Sequence, residues 1–306
     1  MRGSILCLDL GGSKLAWGMM GAEGSLLWQR QMPWQPRSAD EVMSILLPLA
    51  REALDQAGDR PVAALGLTIP GPCDHEQGVW LAANFANIRD FAITGMISQA
   101  LGLPAYADND AKACTLAEQR YGAGRGISDF VYLTVSNGIG GGLVMNGQLQ
   151  RGAGNQAGEI GHVCIEPQGR PCACGKRGCL EAYAAGPGLS LSYQQLSGRQ
   201  ASGKELAQMA KTCDPQALQA WALEGDYLGQ GIAQAVNLLN PQRVIIGGGL
   251  SLAFEHYARA LEASLERNVF PHLRPRPEVL PTPLGYYGGL YGAAAVAAGR
   301  ISQQEA

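Results

Sequence analysis

The sequence is short of net charge. Its formal balance is only −3, so no broad electrostatic field draws it toward nucleic acid or an anionic membrane surface. No apolar run approaches the length of a bilayer span, and the opening MRGSILCLDL runs into a strand pattern without a signal-peptide layout. These absences predict a cytoplasmic protein with neither nucleic acid nor membrane as a partner. Eight cysteines with few close pairs fit a reducing compartment better than a disulfide framework. What is abundant is apolar residues, 46% over 306 positions, enough for two domains with cores of their own.

Glycine, at 42 residues, falls in clusters between apolar runs rather than in a repeat, the pattern of loops that must approach a ligand closely. Ser4 to Leu10 reads as a strand, Asp9-Leu10-Gly11-Gly12-Ser13-Lys14 as a break, Leu15 to Met20 as a second strand, and Leu26 to Gln31 as a third. The same order returns at Phe130 to Val135, the glycine loop Ser136 to Gly142, Leu143 to Met145 and Gln148 to Arg151. Two copies of one device predict two domains of common plan. Glycine loops between strands can cradle phosphate oxygens with their N–H groups, although such hairpins are often plain turns. Neither loop matches GxxxxGK[ST] or a GxGxxG turn.

Further signals are spread along the chain. Ser38 to Ala57 has helical spacing, with Pro48 expected to end or kink it. Val62 to Ile69 reads as a buried strand entering Pro70-Gly71-Pro72, and Ile93 to Leu101 as a helix. A short strand, Ala105 to Ala107, runs into Asp108-Asn109-Asp110 and a helix to Tyr121. Polar residues there serve as helix caps or, at a strand end of an open α/β sheet, as ligand contacts. Ser197 to Asp226 reads as helical, punctuated by Gly203 and Pro215, and Tyr227 to Leu239 as a long amphipathic helix. Arg243 to Ile246 is a strand leading into Gly247-Gly248-Gly249, a turn that could pass a flat ring or simply precede a helix. Gly288 to Gly299 reads as a closely packed helix, with a frayed tail from Ile301.

The densest chemistry lies between Asn155 and Gly186. His162, Cys172, Cys174 and Cys179 offer four ligands, and Gly175 and Gly178 let the chain fold tightly enough to bring them to one point. Three thiolates and one imidazole fill a tetrahedron, so a zinc ion there would be structural, with no open position to activate water. The competing readings are ordinary cysteines or a disulfide. Glu159 and Glu181 flank the ligands, where rigid carboxylates could accept hydrogen bonds from a polyol, or could be solvated surface residues. The small and apolar neighbours Ala157, Gly158, Ile160 and Gly161 predict partial burial of Glu159.

EIGH followed by CACGKRGC and LEAYAAG resembles the ROK group (repressors, open reading frames and sugar kinases), and the resemblance runs from Asp9 to about Ala298. DLGGSK is similar to the first phosphate motif of the actin and hexokinase-like ATPases. The resemblance implies an α/β fold of two actin-like (ribonuclease H-like) domains with an interdomain cleft. The expected boundaries are residues 1–115 plus a C-terminal helix at about 291–306 for the small domain, and 116–290 for the large one carrying the zinc loop. It implies a kinase that transfers phosphate from ATP to the 6-hydroxyl of a hexose or N-acylhexosamine, with Asp110 as base. Gly71, Asn84 (with Asn87 as substitute), Asn109, Glu159, His162 and Glu181 are the implied sugar contacts, and Asp108 the structural member. Asp9, Gly11, Gly12, Ser13 and Lys14, with Asn137, Gly138 and Gly140 of the second loop and Gly248 and Gly249, are implied for ATP, Asp9 reaching Mg2+ through water. Asn137 stands where most such kinases carry Thr. His162 is expected to place one ring nitrogen on the structural Zn2+ and leave the other for the sugar. A homodimer is carried by analogy. The alternatives are a catalytically inactive sugar sensor and a transcriptional regulator; only eight residues precede Asp9, which argues against a DNA-binding region in front of it.

Overall fold

The structure is a computed structural model and describes residues 3–304. The chain forms two compact units. The first holds the described residues up to Arg125, the segment Gly152–Gln156 and everything described from Tyr287 onward; the second holds Gly126–Arg151 and Ala157–Tyr286.

The first unit begins with β1 (Ser4–Leu10), β2 (Lys14–Met20) and β3 (Leu26–Pro33), joined by tight turns. Helix α1 (Ala39–Ala57) starts at Ser38, whose hydroxyl accepts from the Glu41 amide, and buries Val42, Leu46, Ala50 and Ala53 along one stripe. Pro48 neither ends nor divides it. Pro48 and Ser44 both lie on the exposed face, so the Ser44 carbonyl that loses its helical partner can bond to water. Strand β4 (Val62–Ile69) leads to a small antiparallel sheet, β5 (Cys73–Asp74), β6 (Val79–Ala83) and β7 (Ile88–Phe91), which the sequence pattern did not disclose. Helix α2 (Ile93–Leu101), strand β8 (Ala105–Asn109) and helix α3 (Asp110–Tyr121) complete this part.

The second unit has β9 (Phe130–Val135), β10 (Ile139–Met145) and β11 (Gln148–Gln150), then the metal-ligand loop and four helices: α4 (Glu181–Ala184), α5 (Gly186–Ser197), α6 (Gly203–Lys211) and α7 (Pro215–Leu239). Strand β12 (Arg243–Gly247), helix α8 (Phe254–Asn268) and strand β13 (Glu278–Pro281) follow. Helix α9 (Gly288–Gln304) returns to the first unit and continues as helix through the stretch expected to fray, up to Gln304; residues 305–306 lie outside the described residues.

The two large sheets share one topology. Their orders are β3-β2-β1-β4-β8 and β11-β10-β9-β12-β13, each with an antiparallel meander on one side and parallel crossovers on the other. This is the mixed α/β plan of the two-domain actin-like fold. In the first sheet, α9 lies so close that a Cβ on Gly66 would stand 1.9 Å from the Ala293 carbonyl. Ala293, Ala294, Ala297 and Ala298 pack there against Ile5, Cys7 and Ala64. In the second unit, Gly225 allows the same intimacy between α7 and α8, since a Cβ there would meet the Tyr257 carbonyl at 2.4 Å.

The helical stretch from Ser197 to Asp226 is broken where its punctuation stands, α6 beginning at Gly203 and α7 at Pro215. Helix α5 stops at left-handed Gly198, α6 starts at a Ser202–Glu205 capping box, and α7 starts with Pro215 behind the Asp214 cap. Proline is at home in a first turn, so the same residue that interrupts one helix begins another.

Buried in the second core, on α7, is Glu224, 1% exposed, with neither carboxylate oxygen bonded to a donor among the described residues. Burial drives its pKa well above the ordinary value, against a weaker pull from the Arg170 charge. The unfolded chain ionises at ordinary pH while the folded chain resists, so stability is intact below the ordinary carboxylate range and is lost as pH rises toward the folded pKa, at about 1.4 kcal/mol per pH unit. Glu224→Gln should therefore melt progressively higher than the parent as pH goes from 5 to 8, checked by thermal denaturation; a difference that does not change with pH would contradict this.

Candidate functional site

In the first unit the polar residues gather at the carboxyl ends of the parallel strands, where open α/β sheets bind ligands. Asp9, Thr68 and Asp108 are register partners across β1, β4 and β8. The Thr68 hydroxyl donates to Asp9 Oδ1 at 2.6 Å. Burial raises the Asp9 pKa, while the Thr68 hydrogen bond and the Lys14 charge pull it back down. Gly289 must be glycine here, because a Cβ would lie 2.3 Å from the Asp9 carboxyl carbon. Gly11, Gly12 and Ser13 form the turn between β1 and β2, closed by Gly11 N–H to the Lys14 carbonyl at 2.9 Å. Trp34, which sequence reading passed over, holds this turn: it is buried, and its indole N–H donates to the Gly11 carbonyl at 2.6 Å.

Asn109 is the N-cap of α3, its Oδ1 accepting from the Lys112 amide at 3.2 Å. Its Nδ2 donates both to the Gly71 carbonyl and to Asp110 Oδ1, each at 3.0 Å. Asp110 Oδ1 also takes the Ala111 N–H at 2.8 Å. The cap reading and the ligand reading of this junction are thus compatible, because one asparagine fixes the helix start, the Pro70-Gly71 turn and the carboxyl beside it. Trp80 steadies the same turn from below, its indole N–H reaching the Pro70 carbonyl at 2.9 Å. Asp108 is 1% exposed and turns back to the Asn109 amide. Asn84 is exposed at the start of a 3-10 turn and accepts from Arg89 at 3.1 Å, whereas Asn87 closes that turn in the left-handed region.

In the second unit the glycine loop is shorter than expected. Only Ser136, Asn137 and Gly138 form the turn; β10 begins at Ile139, and Gly140 sits in the ladder opposite Thr134. The glycines of β10 answer a packing need. A Cβ on Gly141 would stand 2.7 Å from the Gly158 carbonyl, and one on Gly161 would stand 2.1 Å from the Ile139 carbonyl, so the backbone of residues 158–161 rests directly on the strand. Ile160 is buried in the core at this crossing, but Glu159 is exposed rather than partly buried as its neighbours suggested. It stands at the N-cap position of a 3-10 turn, and the apolar neighbours take the inward directions.

His162, Cys172, Cys174 and Cys179 converge, with their ligand atoms all within 4.8 Å of one another. Cys174 and Cys179 sulfurs are 3.7 Å apart, and His162 Nδ1 is 3.8 Å from Cys172 Sγ. Thiolates about 2.3 Å from a tetrahedral zinc are about 3.8 Å from each other, and a disulfide would need about 2.05 Å. All four cysteines of the loop are free thiols, so the donor set and its spacing fit zinc. Nδ1 is the nitrogen that faces the cluster. Burial and the neighbouring sulfurs push the Cys179 thiol up to about 12, while the Lys176 backbone N–H lowers Cys174. The loop is shaped by positive φ at Gly175 and Gly178 and by Cys172 N–H to the Lys176 carbonyl at 2.9 Å. Two further residues were missed. Arg170 anchors the loop, donating to the Gly188 carbonyl, Ser192 and Gln195 at 3.1, 3.1 and 2.9 Å and stacking 4.6 Å over Tyr183. Cys164 lies directly across a β-bridge from Cys179.

Near the glycine turn the second unit encloses a cavity of about 540 Å³, walled by Trp221, Leu250, Leu252, Ala253 and Tyr286 and edged by Ser136, Asn137, Ser190, Lys204 and Gly249. Its size suits a drug-sized or nucleoside-sized ligand. Gly248 (φ 82°), next to the lining residue Gly249, has no room for a side chain, since a Cβ would strike the Val135 carbonyl at 2.4 Å.

Comparison with known proteins matches residues 5–300 to the ROK family. An N-acetylmannosamine kinase of Escherichia coli is 33% identical over 97% of this chain and 99% of its own. A xylose repressor of Bacillus subtilis is 27% identical over 94% of this chain and 75% of its own. The crystal structure of a ROK family glucokinase from Streptomyces griseus in complex with glucose and AMPPNP superposes with a TM-score of 0.84, at 28% identity, covering 97% of this chain and 99% of that one.

If the four ligands hold zinc, the protein should carry about one equivalent of the metal, and chelation should lower its melting temperature by at least about 5 °C. Elemental analysis and calorimetry before and after chelator treatment check this; an unchanged transition would count against a structural ion.

Proposed function

Because the chain belongs to the ROK family, we propose that it is an ATP-dependent sugar kinase that phosphorylates the 6-hydroxyl of a hexose or N-acylhexosamine. Similarity over nearly full length to an N-acetylmannosamine kinase and a glucokinase supports both substrate types. The observation that carries the reading is the Asn109–Asp110 junction. A sugar hydroxyl is a poor nucleophile at neutral pH, and a carboxylate must accept its proton as the bond to phosphorus forms, a contribution of about 10² to 10⁴ in rate. Asp110 is that base. Its carboxyl plane is set by the Asn109 side chain and the Ala111 N–H, so the group is aimed before substrate arrives.

In this reading Gly71, Asn84, Asn109, Glu159, His162 and Glu181 take the ring hydroxyls. His162 would hold zinc through Nδ1, the nitrogen that faces Cys172, and would leave Nε2 for the sugar. The ATP phosphates lie on Gly11, Gly12, Ser13 and Lys14 and on Asn137, Gly138 and Gly140, and the adenosine enters the cavity beside Gly248 and Gly249. Asp9 would hold magnesium through water, and the ion would supply neutralisation of charge on the transferring phosphate.

The similarity to a xylose repressor supports a second reading, a sugar-responsive regulator without turnover. Coupled ATP consumption across a panel of glucose, mannose, N-acetylglucosamine and N-acetylmannosamine separates the two, because a regulator consumes none with any sugar. For the kinase, Asp110→Asn should keep the sugar Kd within a few-fold while kcat falls by about 10² to 10⁴; a mutant with comparable kcat would remove Asp110 from the role of base.

A further inference from the structure

Glu181 occupies an unexpected place. It follows Cys179 by two residues and opens α4, within the stretch that the metal ligands hold together. Its Oε2 accepts from the Ile139 N–H at 2.9 Å, where the Ser136–Gly138 turn enters β10. The same oxygen lies 2.7 Å from where a Cβ on Gly138 would project, so only glycine lets the carboxylate sit against the turn. Oε1 faces the metal ligand Cys172, 3.8 Å from its sulfur. One carboxylate thus lies beside the metal cluster with one oxygen and bonds the glycine turn with the other; since a metal-bound Cys172 thiolate has no proton to donate, what ties Glu181 to the metal is the chain itself, two residues past the ligand Cys179.

Other bonds tie the same parts together. The Gly186 N–H donates to the Ser136 carbonyl at 2.7 Å, and Ser136 N–H closes the turn on the Gly138 carbonyl at 2.9 Å. Gly161, beside His162, rests on the Ile139 carbonyl. The turn therefore hangs on the two ends of the metal loop, and Glu181 supplies the side-chain link. Its charge works against attraction of a triphosphate, so a carboxylate is useful here for the bond it accepts rather than for its sign.

We propose that Glu181 is a positioning residue for the phosphoryl donor: it holds the Ser136–Gly138 turn in shape and makes nucleotide affinity depend on the metal, in addition to any contact with sugar. This rests on the kinase reading. Without the acceptor, the part-buried Ile139 N–H loses its partner and the turn loosens. A role confined to the sugar would leave nucleotide binding untouched.

The test is calorimetric titration of AMP-PNP with Mg2+, in the absence of sugar, into metal-loaded and chelator-treated protein. Glu181→Met keeps length and bulk without an acceptor and should weaken binding by about tenfold or more. Glu181→Gln keeps an acceptor, sheds the charge, and should bind at least as tightly as the parent; this rescue separates positioning from loss of fold. Metal removal should weaken the parent by a similar factor and cost E181M little more, because both act on one link. Parent-like binding by E181M, or an equal cost of metal removal in parent and E181M, overturns the proposal and leaves the kinase reading standing. A parent that binds no AMP-PNP overturns both.

Discussion

The convergence of one imidazole and three thiols onto one point is the constraint on which the second unit's functional side depends. Between Val163 and Gly178 the chain forms no helix or strand of its own, and most of its side chains are half-buried or exposed. Such a segment buries too little apolar surface to offset the entropy of ordering it. A tetrahedral ion held by these four ligands would replace the missing core, with Arg170 and its bonds to α5 as the organic part of the same anchor. What the anchor holds is backbone: the 158–161 segment on β10, and the start of α4 against the glycine turn.

This explains where the glycines are. The sequence offers Gly138, Gly140, Gly141 and Gly142 as one phosphate-binding cluster, yet they divide between two tasks. Gly138 makes room for the Glu181 carboxylate and Gly141 for the Gly158 carbonyl. In the first unit the division recurs, with Gly11 and Gly12 in the turn and Gly66 and Gly289 yielding space to α9 and Asp9. A glycine-rich chain is therefore evidence of close approach, and the approaching group is as often the protein's own backbone as a ligand.

The two units also show how one topology carries different chemistry. Each sheet has a turn after its first strand and parallel strands on the other side. The first adds the Asp9–Thr68–Asp108 row and a helix-capping asparagine; the second adds a loop that gathers four metal-ligating side chains and an apolar cavity. Among the described residues no helix is long and apolar enough to cross a membrane, in keeping with the absence of such a run in the sequence.

The sequence by itself determined the strands of the first meander, β9, β11 and the far end of β10 in the second, the helices α1, α2 and α3, the cluster of His162 with Cys172, Cys174 and Cys179, and the Asn109–Asp110 junction. These depend on local periodicity, short ligand spacing and cap chemistry, which neighbours in the chain decide. It left out α5, although Leu189, Tyr193 and Leu196 pack on the core there at helical spacing, and it missed α8, where Tyr257, Leu261 and Leu265 recur in the same way. It also could not place Trp34 under Gly11, Arg170 on α5, or Glu181 against Ile139. Those contacts join residues 23, 18 to 25, and 42 positions apart. Only tertiary structure decided them, because a hydrogen bond across such a span depends on how distant backbones cross, and no local pattern encodes the crossing.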